Sequence, residues 1–132
     1  MRYALLFVLG LALGGIGVGI ANNALRLRDA YPRAVMQILQ HEVGALRQNL
    51  RTQRCEAEST RRAIGRLAEF AGETENAVYG TQTPEAPFRE YAARLREAVA
   101  VAAQTASGDC AALAPTVHAI GEACEACHRQ YR

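Results

Sequence analysis

The sequence predicts an all-α protein, an antiparallel up-down four-helix bundle preceded by an N-terminal hydrophobic segment. Three observations carry this. Apolar residues recur at steps of three and four through four separate stretches. Breaks of modest length, marked by Gly and Pro, separate those stretches. Once the N-terminal apolar run is set aside, about 110 residues remain, enough for one small domain but not two.

The N-terminal run comes first. Arg2 is followed by uncharged, mostly apolar residues from Tyr3 to Ala21, the pattern of a positive n-region and a hydrophobic h-region. At about 19 residues the run is long for an h-region and just long enough to cross a bilayer as a helix. Gly19-Ile20-Ala21 offers a small-residue cleavage site before Asn22. Residues 1–21 are therefore expected to be a signal peptide or a membrane anchor, with residues 3–21 as the tether if they are retained. Residues 22–132 form the folded domain. Either outcome places that domain in the periplasm.

The first bundle helix is expected from about Tyr31 to Gln53, with Asp29 or Tyr31 as N-cap and Pro32 in the first turn, where its missing N–H costs little. Met36, Leu39, Val43, Leu46 and Leu50 form its seam. The second spans roughly Ala57 to Ala71, burying Ala63, Ile64, Leu67 and Phe70, with Gly72 as its stop. Residues 73–87, with Gly80, Pro84 and Pro87, read as a long connection. The third helix starts near Phe88, carries Tyr91, Leu95, Val99 and Ala102 on one side, and ends before Ser107-Gly108-Asp109. The fourth has Pro115 in its first turn and a seam of Leu113, Val117, Ile120, Cys124, Cys127 and Tyr131, leaving Cys110 in or just after the preceding loop.

Charge excludes some functions. Fifteen arginines and thirteen acids give a formal charge of +2 and are interspersed along a chain without lysine. No basic stripe or aromatic platform suited to nucleic acid is present. No acid/base pair, nucleophile arrangement or phosphate loop points to an enzyme.

The tail carries the chemistry. Cys124-Glu125-Ala126-Cys127-His128 is a CxxCH, the spacing at which two thiols bond to haem vinyl groups and the next imidazole reaches the iron. A bare CxxC would leave thiol exchange or half a zinc site open. Zinc needs four ligands, and no second Cys/His pair lies at ligand spacing elsewhere. One covalent haem c on Cys124 and Cys127, with His128 on the iron, is the simplest reading; a haem-free structural or thiol-exchange module is the alternative.

Topology then places the other cysteines. In an up-down bundle the CxxCH and Met36 both lie about one and a half turns from the end where the first helix begins. Met36 to Cys55 is about 28 Å of helix and His128 back to Cys110 about 27 Å, so the two spare thiols reach the same height at the opposite end. A Cys55–Cys110 disulfide is one outcome in an oxidising compartment; two free thiols or an intermolecular bond are the others.

An exported four-helix chain with Cys-x-x-Cys-His-x-x-Tyr-Arg at residues 124–132 and a first helix reading Tyr31-Pro32-Arg33-Ala34-Val35-Met36 resembles the class II cytochromes c, the cytochrome c-prime family. The resemblance implies a haem inside one end of the bundle, with His128 as proximal ligand. Met36, five residues after Tyr31 and eight before Gly44, falls at the distal position, as in the low-spin, methionine-ligated branch. That branch transfers electrons to and from redox partner proteins. The high-spin branch, whose distal residue does not bind iron, takes up nitric oxide or carbon monoxide.

The family also implies an arginine on a haem propionate four residues before the distal position. Pro32 stands there and Arg33 follows, so Arg33, Arg129 and Arg132 are the candidates for that contact. A homodimer through the first two helices is implied too, although their connection is shorter here than in the family. His41 turns about 140° away from Met36, and His118 lies some 15 Å from His128 along the helix; both read as surface histidines. Tyr131 continues the seam as a packing residue.

Overall fold

The structure, a computed structural model, describes residues 2–28 and 30–131 and is all-helical: α1 (Arg2–Arg28), α2 (Ala30–Arg51), α3 (Ala57–Tyr79), α4 (Ala86–Gln104) and α5 (Cys110–Gln130). Helices α2 to α5 each pack on their neighbours in sequence, and α5 returns to α2 to close the ring. Connections as short as 52–56, 80–85 and 105–109 force adjacent helices to run antiparallel, as predicted.

The core follows the apolar stripes. Val35, Leu39, Val43 and Leu46 of α2 meet Ile64 and Leu67 of α3, Leu95 and Val99 of α4, and Leu113, Val117 and Ile120 of α5, all buried. Met36 and Leu50 are only half-buried against this core. On α5 burial fades after Gly121, so Cys124 and Cys127 are half-buried rather than sealed in the seam. One buried acid, Glu42 on α2, is held by Arg66 Nε of α3 at 3.0 Å.

Three expectations about element ends are corrected. Tyr31 is the second residue of α2, not its cap, and Asp29 lies outside the described residues. Gly72 does not stop α3: it sits exposed inside a helix that continues to Tyr79, because Ala71, Thr74 and Ala77 extend the buried stripe with small residues. Gly80 is the true end, with φ 58°, so the connection shrinks to 80–85. Pro115 is not in the first turn of α5. The helix starts at Cys110, because the Asp109 carboxylate accepts the Ala111 N–H at 2.9 Å and caps it. Pro115 and the Ala111 it would have bonded are both exposed, which lets water take the orphaned carbonyl.

Helix α1 holds the 18-residue window Phe7–Ala24, of mean hydropathy 1.6 and none of it buried, long and apolar enough to cross a membrane. Among the described residues it touches only α2.

Candidate functional site

Between α2 and α5 the ring opens into a cavity of about 800 Å³. The gap has a local cause. Gly44 on α2 and Ala123 on α5 present small residues where two helices would otherwise interdigitate, while at Gly121 the Arg47 guanidinium of α2 lies against the bare backbone. Leu39, Val43 and, from α4, Phe88, Ala92 and Leu95 give it an apolar back wall.

The predicted chemistry converges on this cavity. Cys124, Cys127 and His128 line it from α5 and Met36 from α2. Cys124 and Cys127 are three apart on a helix and so share one face. Burial pushes both thiols above their ordinary range; at Cys124 the positive charge of Arg47 partly offsets this. His128 lies in the last turn of α5 with an exposed side chain, at the rim. Among the described residues no group of three or more His, Cys, Asp and Glu converges to hold a bare metal ion.

The arginines divide. Arg129 lines the cavity, Arg33 is exposed and off its wall, and Arg132 lies outside the described residues. Two arginines that the sequence reading passed over, Arg47 and Arg51, line it instead. The signal was there: 36, 40, 43, 47 and 51 are one continuous stripe at steps of three and four, but its upper positions are charged and drop out of an apolar pattern.

An aromatic group adjoins the cavity. Phe88 packs edge-on against Tyr79, with centroids at 4.9 Å, and against Tyr131 at 5.2 Å; Tyr91 approaches Tyr131 at 6.0 Å. Tyr79 Oη donates to Glu85 at 3.1 Å. The Tyr131 hydroxyl is pushed up to about 12, first by desolvation and then by its hydrogen bond to Glu85. The short 80–85 connection thus ties to this cluster through Glu85.

At the far end of the bundle the Cys55 and Cys110 sulfurs lie at bonding distance, with Cα atoms 5.3 Å apart. Gly108, at φ +89°, lets the α4–α5 connection approach: a Cβ there would stand 3.3 Å from the Cys55 carbonyl oxygen and the Ala57 nitrogen. His41 and His118 are both exposed, and His118 Nδ1 faces Glu122 at 3.5 Å.

The residues present fit a haem. The volume lies in the range of cofactor pockets, the wall is apolar with a charged mouth, two thiols stand at the attachment spacing, and an imidazole and a thioether reach the space from different helices. Fold and cavity together define a helical-bundle c-type haem protein. The family model described as Cytochrome C′ matches residues 30–132, and the chain belongs to that family. No curated protein and no solved structure gave a match. Members of the family bind haem c covalently, are generally not enzymes, are usually periplasmic, and serve electron transfer or gas binding.

Proposed function

We propose that this chain is a periplasmic electron carrier whose single haem c, joined to Cys124 and Cys127, takes His128 and Met36 as its two axial ligands. The observation that carries this is the place of Met36. It is the only methionine after Met1, and its thioether is on the wall of the cavity that holds the CxxCH. When bound, the haem supplies a one-electron ferric/ferrous couple.

The chain's own groups do the rest. His128 and Met36 would both hold the iron, which would leave no open site for a substrate or gas and keep reorganisation small on electron transfer. The soft sulfur favours the ferrous state and raises the potential. Leu39, Val43, Phe88 and Leu95 exclude water from one side of the cavity, while its other side faces the α2–α5 mouth, toward redox partner proteins. Helix α1 is the export segment; cleavage before Asn22 would free the bundle and retention would tether it, and N-terminal sequencing of the purified protein separates the two. The Cys55–Cys110 pair is a disulfide in that compartment.

Carbon monoxide titration of the ferrous protein tests the reading. The carrier leaves its spectrum unchanged at gas concentrations that saturate an open ferrous haem. Ready uptake would instead assign the gas-binding role of the family's high-spin branch, with Met36 as packing only.

A further inference from the structure

His128 stands on the least secure part of α5. The helix ends at Gln130, two residues later, and a last helical turn has carbonyls without helical partners and is among the first parts of a fold to open. An imidazole on such a turn swings with it. To serve as a fixed ligand it needs the turn tied down, and the residue that follows the helix does this.

Tyr131 acts through its backbone, its ring and its hydroxyl. Its N–H donates to the Cys127 carbonyl at 2.9 Å and closes the last turn. Its ring packs edge-on against Phe88 and Tyr91, both of which line the cavity from α4. Its hydroxyl donates to the Glu85 carboxylate. Glu85 stands at the N-cap of α4, yet its side chain makes no capping bond there and accepts the Tyr79 hydroxyl of α3 at 3.1 Å instead. One carboxylate thus gathers the end of α3, the start of α4 and the end of α5. 

We propose that Tyr131 and Glu85 are positioning residues for His128, a clamp that fixes the last turn of α5 on Phe88 and Tyr91 so that the imidazole meets the iron in one orientation. The inference rests on the haem reading above. A phenol that donates to a carboxylate makes a charge-assisted bond, stronger than a neutral one, and edge-on aromatic contacts add to it.

The test compares purified wild type with Tyr131→Phe, Glu85→Ala, Glu85→Gln and Gly108→Ala, by two readouts. Amide hydrogen exchange follows opening of the last turn, and the ferric electron paramagnetic resonance spectrum follows the orientation of the axial ligands. Tyr131→Phe keeps the ring and loses the hydroxyl. Exchange of the amides at 128–131 should quicken about tenfold, the loss of one hydrogen bond to a charged group, and the principal g-values should shift or spread. Glu85→Ala should do the same, and combining the two should add little to either. Glu85→Gln still accepts both phenols and should stay close to wild type. Gly108→Ala, at the far end of the bundle, should move neither readout, which separates a clamp from a general loss of stability. Wild-type exchange or wild-type g-values in Tyr131→Phe overturn the clamp, as do additive effects in the double variant or equal shifts in Gly108→Ala. A wild-type chain that matures without colour overturns the haem reading instead.

Discussion

Met36 of α2 and His128 of α5, remote in sequence, line the same cavity from two helices that meet only because the bundle ring closes there. That relationship is what the proposed ligation rests on: α5 brings the CxxCH to the cavity and α2 brings the methionine.

Replacement of Met36 by alanine should convert a low-spin ferric spectrum to a high-spin one and create carbon monoxide affinity in the ferrous protein. Met36 is only half-buried, so the bundle should stay folded by circular dichroism. An unchanged haem spectrum in this variant would remove Met36 from the iron.

Cys55 and Cys110, 55 residues apart in sequence with their sulfurs at bonding distance, lie at the end of the bundle away from the CxxCH, and the proposed disulfide between them would close a long loop. Chain-entropy reasoning assigns such a loop about 4 kcal/mol. The Cys55→Ala/Cys110→Ala double variant should therefore melt well below wild type in thermal denaturation. Its midpoint potential should be unchanged, because neither sulfur borders the cavity; a shifted potential would show that the two ends communicate.

Gly108 combines a left-handed φ of +89° with a crowded setting, in which an added Cβ would stand 3.3 Å from the Cys55 carbonyl oxygen and the Ala57 nitrogen. Gly108→Ala should cost about 1–2 kcal/mol in urea denaturation. Gly72→Ala, at an exposed mid-helix position with open space around it, should instead stabilise by about 1 kcal/mol.

Tyr131, in the aromatic group beside the cavity, contributes to alkaline stability. Its folded pKa, raised from 10.0 to about 12, means that the neutral phenol is the form the fold favours. The contribution is present in full below pH 10 and is lost as pH climbs from 10 to about 12. Ultraviolet titration of the tyrosines should show a last component that disappears in Tyr131→Phe, and that variant should lose less stability across this interval.

The bundle, the attachment motif and the facing methionine were legible because each has a spacing that chemistry enforces: 3.6-residue periodicity, CxxCH, and a single thioether on the facing seam. The lower third of α3 was not, because Ala71, Thr74 and Ala77 bury small side chains that carry little hydropathy signal, and Gly72 interrupts them. The start of α5 was hidden by Pro115, whose preference for a first turn yielded to the Asp109 cap. Arg47 was missed for a third reason. It shares the stripe of Met36, Gln40 and Val43 on the cavity wall, but a charged residue drops out of a pattern read from apolar positions.

The most direct measurement is the ferric absorption spectrum of the exported, purified protein at neutral pH. Sulfur ligation by Met36 opposite His128 predicts a low-spin spectrum with the weak far-red charge-transfer band of a thioether on ferric haem. A high-spin ferric spectrum without that band would contradict the account.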